Sequence, residues 1–347
     1  MTAVSARNIS FVSRSDQGGR GDGVQVMVHR GYAYIGHGYS NGITVIDVRD
    51  AKHPKVVNFL PCPTNTRAIH LQTHGDLLLA VNGPSMWTMK IDPQAYYTSS
   101  PSELLKGQEY TAGVRIYDLK KPEAPREIAF MPTPGVGPHR IWYVGGRHAY
   151  VSIHTPEFTD QVLAIVDLAD PTRPTVVGRY WLPGMWIGGG THSPLPLPDR
   201  NLLVLADEVT FMNCSQGMRH IWLFDVREPS NPVSFATLPI PQEADYCAKG
   251  GNFGPHNLWE NRPGAFVSSR FVFGTYHNAG VRVWDIEDAF HPREAGWFVP
   301  RDPEHLFDPR PGRPKIIQSA DCFVDAQGLI YLTDNNAGLY ILQFDGA

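Results

Sequence analysis

A strand-like heptapeptide that recurs along the chain is the feature that most constrains its fold. Each of five copies ends in an aspartate and one apolar residue, and a proline follows each aspartate after seven residues. The copies are GITVIDV (42–48), GVRIYDL (113–119), VLAIVDL (162–168), HIWLFDV (220–226) and GVRVWDI (280–286). A sixth copy without the aspartate, GLYILQF, spans 338–344. Such self-similarity along a chain is typical of repeat architectures.

Each repeat predicts four β-strands in a meander. A hairpin rich in β-branched and aromatic residues precedes each copy, as YAYIG (32–36) does before the first. The Asp/Pro connector suits a tight turn, because Asp bonds nearby backbone and Pro fixes φ, and it leads into a fourth strand such as VVNFL (56–60). Six antiparallel four-stranded units predict an all-β, six-bladed β-propeller.

Ring closure and domain organisation follow from the same count. The sixth unit ends after three strands, so an N-terminal strand at about 8–14 is predicted to complete blade 6 and close the ring. We therefore expect a single propeller domain over residues 1–347. Little helix is expected outside the loop insertions, which span about 84–112, 209–219, 241–253 and 300–317.

The repeated V-I-V-D strand resembles the LVIVD-repeat family of β-propellers over nearly the whole chain. This resemblance implies the propeller architecture. It implies no activity, because propellers host many unrelated functions. Function must therefore be argued from the positions of individual side chains.

Three histidines recur at one position of the repeat. They stand in GPHRIWY (137–143), GTHSPLP (190–196) and GPHNLWE (254–260), at the start of the innermost strand of blades 3, 4 and 5. The second strand of each blade is antiparallel to the first, so its end returns to the same face. We expect both sets of side chains to meet at one mouth of the propeller channel.

This pattern predicts a metal site, because neutral imidazole is the commonest protein metal ligand. The predicted ligands are His139, His192 and His256. A His-rich shell suits a divalent transition metal such as Zn, Mn or Fe, and the residues do not choose among these. Catalytic or supporting roles are predicted for polar groups at the second-strand ends, namely His37, His154, Glu208, Tyr276 and His277. The alternative is a water-bridged polar lining of the channel.

Substrate-binding residues are predicted at the same mouth. Arg67 occupies the inner position in blade 2, where it would clamp a carboxylate or phosphate, with a structural ion pair as the alternative. Trp186 and Tyr246 are predicted to line the substrate pocket. We expect a small-molecule substrate, with carboxylate-bearing compounds included.

The leading functional hypothesis is a metal-dependent enzyme. A metal would act as a Lewis acid on a substrate oxygen or would activate water, as in lyases, hydratases, isomerases and lactone hydrolases. One alternative is an oxygenase with histidine-ligated non-haem iron. Another is a non-enzymatic interaction scaffold, since propellers commonly serve as binding platforms.

Composition and charge limit the kinds of partner and the cellular compartment that we expect for this chain. The net charge is −4 and no basic run exists, which argues against nucleic-acid binding. The sequence has no apolar run long enough to predict a membrane span, and the N-terminus has no signal-like apolar core. A cytoplasmic location is therefore expected by default. The four cysteines form no CxxC pair and are expected to be reduced thiols. The oligomeric state is left open.

Overall fold

The repeats fold into six antiparallel β-sheets. The computed structural model describes residues 3–92, 95, 99–154, 161–180 and 191–346. The chain is a six-bladed β-propeller, as its repeats predict. The helical segments whose bounds are described are α1 (Pro101–Leu104), α2 (Tyr246–Lys249) and one 3₁₀ turn (Pro198–Arg200). None of these approaches the roughly 20 apolar residues that a bilayer-spanning helix needs.

The strands follow the predicted meander. Two strands precede blade 1, β1 (Ala3–Arg7) and β2 (Ile9–Ser15). Blades 1 to 3 are built from β3 (Gly23–His29), β4 (Tyr32–His37), β5 (Gly42–Asp47), β6 (Lys55–Pro61); β7 (Thr66–Arg67), β8 (Leu71–His74), β9 (Leu77–Pro84), β10 (Gly113–Asp118), β11 (Arg126–Pro132); β12 (Gly137–Trp142), β13 (His148–His154), β14 (Gln161–Asp167) and β15 (Thr175–Tyr180). Blades 4 to 6 are built from β16 (Thr191–Leu197), β17 (Leu202–Asp207), β18 (Ile221–Asp225), β19 (Val233–Thr237); β20 (Phe271–Thr275), β21 (Val281–Asp285), β22 (Arg293–Pro300); β23 (Ser319–Val324), β24 (Leu329–Asp334) and β25 (Gly338–Phe344).

The chain divides into two compact units. The blade 1–3 unit comprises Gln17–Gly188 with Asp308–Arg310, and the blade 4–6 unit comprises Met1–Asp16, Gly189–Phe307 and Pro311–Ala347. Each unit has its own apolar core. Leu79, Val151 and Val166 lie in the core of the first unit, and Leu223, Val283 and Leu332 lie in that of the second. The prediction of a single domain stays a prediction.

The N-terminus supplies two outer strands to the blade 4–6 unit. Strand β2 pairs with β25 and completes blade 6, which confirms the predicted closure. Strand β1 pairs with β22 of blade 5, which the sequence did not predict. Asn8, at a left-handed φ of 53°, separates the two strands. In blade 5 the predicted first strand is reduced to a bridge between Leu258 and Gly274.

The repeated aspartates have a structural role. In each copy a carboxylate oxygen accepts the backbone N–H two residues ahead, which closes an Asx turn at the end of the third strand. The distances are 3.1 Å for Asp47, 2.8 Å for Asp118, 2.8 Å for Asp167, 3.0 Å for Asp225 and 2.9 Å for Asp285. In the same five blades the pairing of the third strand with the fourth has a bulge just before the aspartate, and the extra residue lies on the fourth strand. The repeat is therefore a turn signal, not a catalytic motif.

The registers bring the two predicted sets of polar positions together within blades. The start of the first strand pairs with the end of the second in four blades: Gly23 with His37, Gly137 with His154, Thr191 with Asp207 and Ser319 with Asp334. In all four a bulge follows within the first strand. Bulges re-aim side chains and are common beside functional sites. This local geometry explains why His139 and His192, which lie in the bulges of blades 3 and 4, occupy equivalent positions.

Candidate metal centre

A cluster of potential metal ligands lies in the blade 4–6 unit. His192 sits in the bulge of β16, Glu208 directly follows β17, and His256 precedes the short bridge of blade 5. One ligand atom from each of these three residues lies within 4.8 Å of the others. Their side chains are 10%, 22% and 12% exposed, so an ion from solvent can reach them.

Backbone hydrogen bonds fix the orientation of both imidazoles. Nδ1 of His192 lies 3.1 Å from the carbonyl oxygen of His256, and Nδ1 of His256 lies 2.5 Å from that of Ala320. A carbonyl oxygen only accepts, so each Nδ1 must carry the proton and donate it. The Nε2 atoms are then left with lone pairs. A carbonyl holding the second nitrogen of a ligand histidine is typical of metal sites.

The spacing of the donors suits a tetrahedral ion. Nε2 of His192 lies 3.6 Å from Oε2 of Glu208, and Nε2 of His256 lies 3.3 Å from Oε1 of the same carboxylate. Two ligands bound at about 2.0–2.1 Å in tetrahedral geometry stand about 3.3–3.4 Å apart. The two distances from the imidazoles to the carboxylate are therefore close to the separation that a tetrahedral metal requires.

Glu208 is held as an anion beside the two imidazoles. Burial alone favours the neutral carboxyl, but the neighbouring His192 and His256 outweigh it and hold the pKa of Glu208 well below its usual range. A carboxylate that stays ionised would balance part of the charge of a bound cation. Glu208, predicted as an acid–base group, is thus placed here as a third ligand candidate.

His277 adjoins this cluster without joining its donor set. Its ring stacks on that of His256 with centroids 5.0 Å apart, and its Nε2 lies 3.1 Å from the carbonyl oxygen of Val209. Burial, followed by the proximity of His256, lowers the pKa of His277 to about 3. Its buried Nδ1 has no hydrogen-bond partner among the described residues. The residue also has a left-handed φ of 43°, which is uncommon for a bulky side chain.

A disulfide braces the loops that carry two of the candidate ligands. Cys214 and Cys247 are bonded, with their Cα atoms 5.7 Å apart. Cys214 lies in the loop after Glu208, and Cys247 lies in α2, ahead of His256. The expectation of four reduced thiols is therefore wrong for this pair, because two distant inserted loops meet here. Cys62 and Cys322 are free, as expected.

Two predicted tyrosines form buried walls near this region. Tyr276 is 2% exposed and packs against Phe253, and burial raises the pKa of its phenol above the usual range. Tyr246 is 4% exposed and stacks on Phe253 at 5.3 Å. Its hydroxyl donates to Glu243 and accepts from Arg282. These contacts favour structural roles for both phenols.

His37 is enclosed in a hydrogen-bonded network of blade 1. Its Nδ1 lies 2.9 Å from Oδ1 of Asp22, and its Nε2 lies 2.7 Å from the hydroxyl of Thr44. The side chains of His37 and Asp22 are completely buried. Asp22 also accepts the backbone N–H groups of Tyr39 and Ser40. With both ring nitrogens engaged and no exposed surface, His37 is arranged to support the fold.

The remaining predicted residues belong to the blade 1–3 unit or lie outside the described residues. Arg67 and His139 line a common pocket, and His154 is buried at the end of β13. Trp186 lies outside the described residues. The assignment of His139 as a metal ligand and the convergence of all these groups on one channel mouth stay predictions.

Sequence reasoning missed the groups that orient the site. The carbonyls of His256, Ala320 and Val209 hold the three imidazoles, and no sequence pattern marks a carbonyl. The Cys214–Cys247 disulfide, in contrast, could have been anticipated from the positions of the two cysteines in the sequence. Each cysteine lies in a predicted insertion within ten residues of a predicted site residue.

The fold and cluster define a β-propeller with a two-histidine, one-carboxylate donor set. The LVIVD-repeat model matches residues 20–58 and 143–181, so the resemblance to LVIVD-repeat proteins is confirmed at two places. No curated protein matches the chain significantly in sequence.

Solved structures with a similar chain trace include three bacterial or archaeal proteins. A functionally unknown protein from Desulfotomaculum acetoxidans is 12% identical, with 92% of this chain and 88% of that chain covered and a TM-score of 0.41. A hypothetical selenium-binding protein from Sulfolobus tokodaii is 12% identical, with 97% and 80% covered and a TM-score of 0.43. The periplasmic gluconolactonase of Pseudomonas aeruginosa is 14% identical, with 97% and 82% covered and a TM-score of 0.43. Likenesses this distant transfer no function to this chain.

Proposed function

We propose that His192, Glu208 and His256 bind a divalent transition metal and that the protein is a metal-dependent enzyme. The observation that carries this proposal is the cluster itself: one ligand atom from each of the three residues lies within 4.8 Å of the others, and a backbone carbonyl holds Nδ1 of each imidazole so that Nε2 faces Glu208. Structural zinc sites use four protein ligands, whereas catalytic sites use three and keep a position open. A three-residue donor set with partial solvent access therefore favours catalysis.

The proposed chemistry acts on a small oxygenated substrate. A bound divalent cation supplies a Lewis acid that polarises a substrate oxygen. Glu208 balances the positive charge, and the two carbonyls keep the imidazoles oriented. His277 offers the Nδ1 lone pair as an acceptor for a hydroxyl group in the site. Lyase, hydratase, isomerase and lactone-hydrolase reactions can all use this combination.

Metal content tests the proposal directly. We expect near-stoichiometric metal in tag-free protein after reconstitution, measured by mass spectrometry. His192→Ala, His256→Ala and Glu208→Gln should each lose at least tenfold in metal affinity while remaining folded. His53→Ala, at a surface histidine paired with Asp50, is the matched control and should keep its metal. Absence of metal in reconstituted wild type, or equal retention in all variants, would refute the metal site.

A non-haem iron oxygenase is the second candidate, because two histidines and one carboxylate are the ligand set of many such enzymes. Neighbouring ligands in octahedral geometry stand about 3.0 Å apart at bonds of about 2.1 Å. The separations of 3.3 and 3.6 Å are closer to tetrahedral geometry, which ranks this candidate second. Oxygen consumption by the Fe(II)-loaded protein, absent from the Zn(II)-loaded protein, would reverse that order.

The cytoplasmic location expected from the sequence remains a proposal. Persistent disulfides are typical of oxidising compartments, and the Cys214–Cys247 bond argues against a reducing one. Fractionation of the producing cells, with thiol labelling of the protein from each fraction, decides the compartment.

A small-molecule substrate is proposed ahead of a macromolecular partner, because the cluster lies in a partly buried site.

A further inference from the structure

The carbonyl oxygen of Ala320 accepts hydrogen bonds from three side chains beside the metal cluster. Nδ1 of His256 lies 2.5 Å from this oxygen, Oγ1 of Thr275 lies 3.0 Å from it and Nδ2 of Asn257 lies 3.1 Å from it. A carbonyl oxygen has two lone pairs, so three donors saturate it. The oxygen is therefore held from several directions, and one of its donors is the imidazole of a proposed metal ligand.

Thr275, the last residue of β20, connects this carbonyl to the backbone of His256. Its Oγ1 accepts the N–H of Asn257 at 3.1 Å, and it lies 3.4 Å from the carbonyl oxygen of Asn257, so Ala320 is its nearer acceptor. The carbonyl of Thr275 accepts the N–H of His256 at 3.0 Å, and its N–H donates to the carbonyl of Asn257 at 2.8 Å. Thr275 is completely buried, so these bonds are shielded from bulk water.

The amide of Asn257 is oriented by a partner at each end. Its Nδ2 faces Ala320, because a carbonyl oxygen only accepts, and its Oδ1 accepts from Oγ of Ser193 at 3.1 Å. Both polar residues are buried, with exposed fractions of 1% for Asn257 and 4% for Ser193. Ser193 directly follows His192, and Asn257 directly follows His256. One buried hydrogen bond thus joins the residues next to two of the proposed ligands.

The proton on Nδ1 decides what His256 offers to a metal. A neutral imidazole carries one proton, which can sit on either nitrogen. A proton held on Nδ1 by Ala320 leaves the lone pair on Nε2, which lies 3.3 Å from Oε1 of Glu208. A ring protonated on Nε2 alone would present an N–H there and could bind no cation through that atom. The group that accepts the second ring nitrogen therefore selects the ligand atom.

We infer that Asn257 and Thr275 are positioning residues of the proposed metal site. They hold the Ala320 carbonyl where it accepts the Nδ1 proton of His256, and they thereby keep Nε2 of this ring as the metal-binding atom. The inference rests on the proposed function for its effect on metal affinity. The protonation of the ring, however, can be measured in protein without metal.

Long-range proton–nitrogen NMR of the metal-free full chain, with isotope-labelled histidine, reads which ring nitrogens carry a proton. The signals of His256 are identified by their loss in His256→Ala. At mildly alkaline pH we expect a proton on Nδ1 of His256 in wild type. Thr275→Val and Asn257→Leu each remove one donor to Ala320 at nearly constant size, and each should populate a ring without the Nδ1 proton. Thr275→Ser keeps the hydroxyl and should keep the wild-type ring.

Affinity for Zn(II) provides the second readout. Thr275→Val and Asn257→Leu should bind Zn(II) with wild-type stoichiometry but roughly tenfold more weakly, and Thr275→Ser should restore the affinity. Thr66→Val is the matched control. Thr66 is also fully buried, and its Oγ1 donates to the carbonyl of Thr64 at 3.0 Å and accepts the N–H of Thr111 at 2.8 Å. This variant should lose stability as Thr275→Val does, without a change in the His256 ring or in Zn(II) affinity.

An unprotonated Nδ1 of His256 in wild type would overturn the inference without any variant. Folded Thr275→Val and Asn257→Leu that keep both the wild-type ring and the wild-type Zn(II) affinity would overturn it as well. So would equal losses in Thr275→Ser and Thr275→Val, which would assign the effect to packing instead of the hydroxyl. In a wild-type protein that never takes up metal, loss of the Nδ1 proton in the two variants would keep the orienting role of Asn257 and Thr275 and refute only the metal site.

Discussion

The backbone N–H of Val209 donates a hydrogen bond to the carbonyl oxygen of Pro255, 3.2 Å away. Val209 directly follows Glu208, and Pro255 directly precedes His256. This one bond therefore ties together the backbones that carry two of the proposed ligands. The side chain of Asn252 reaches the carbonyl of Val209 as well, and the N–H of Asn213 donates to the carbonyl of Gly251 at 2.7 Å. The loop that follows Glu208 and the loop that precedes His256 therefore form one hydrogen-bonded element beside the cluster.

The disulfide should stabilise this element and its metal. The two bonded cysteines are 33 positions apart in the sequence. For a loop of this length, the chain entropy removed from the unfolded state predicts a contribution of roughly 3–4 kcal/mol to the free energy of unfolding. We expect the double variant Cys214→Ser/Cys247→Ser to lose about that much in denaturant unfolding. It should also release metal to a chelator severalfold faster, because the loops of Glu208 and His256 are then less constrained.

The free thiol of Cys62 provides the control for that experiment. Cys62→Ser should change neither chelator release nor, by more than about 1 kcal/mol, the free energy of unfolding. Unchanged release kinetics in the double variant would show that hydrogen bonds alone hold the ligand loops.

The left-handed backbone of His277 predicts an order of stability among its variants. His277→Ala and His277→Asn both remove the ring, but asparagine adopts a positive φ more readily than alanine. We therefore expect His277→Asn to be more stable than His277→Ala by about 1 kcal/mol in chemical denaturation. Both variants should keep their metal within a threefold range of affinity, since His277 lies outside the donor set. Metal loss in both would make His277 a ligand.

Asp334 predicts a pH dependence of stability. Its side chain is fully buried, and burial raises its pKa from 3.8 to about 6, against hydrogen bonds from Asn336, Gln318 and Ser319. A carboxyl whose pKa is raised on folding gains stability as pH falls. The gain begins as pH falls through 6, is complete below the unfolded value near 4, and amounts to about 3 kcal/mol.

Asp334→Asn should remove this gain, because the amide does not titrate. In urea unfolding, the free energy of unfolding of wild type should rise relative to that of the variant as the pH falls from 7 to 4. Glu103→Gln, at an exposed side chain, is the control and should run parallel to wild type. Parallel profiles for wild type and Asp334→Asn would contradict the raised pKa.

Two substitutions of Asp285 distinguish the stability contributed by its turn hydrogen bond from the stability contributed by its ion pairs. Its carboxylate accepts the N–H of Glu287 and also pairs with Arg270 and Arg293, whose side chains are half or more exposed. Asp285→Asn keeps an acceptor for the turn and loses only the ion pairs, which should cost less than about 1 kcal/mol. Asp285→Ala should cost about 1 kcal/mol more, because the N–H of Glu287 loses its partner. Thermal unfolding of the two variants measures the difference, and equal losses would assign the whole effect to charge.

Much of the fold was readable from the sequence because its signals are local. An Asx turn, a proline seven residues later and strands of apolar residues are all short-range features, and their repetition multiplies the signal. The second N-terminal strand escaped prediction because the pairing of β1 with β22 joins residues nearly 300 positions apart.

The sequence by itself determined the strand order, the closure of blade 6 by β2 and a candidate set that contained His192, Glu208 and His256. Only the tertiary structure decided how these groups are arranged. A bulge turns His192, two carbonyls choose the nitrogen that each ring presents, and a disulfide joins loops that the sequence leaves unpaired. It also placed His139 with Arg67 in a pocket and enclosed His37 behind Asp22 and Thr44. The identity of a donor is local, but its direction depends on contacts between distant parts of the chain.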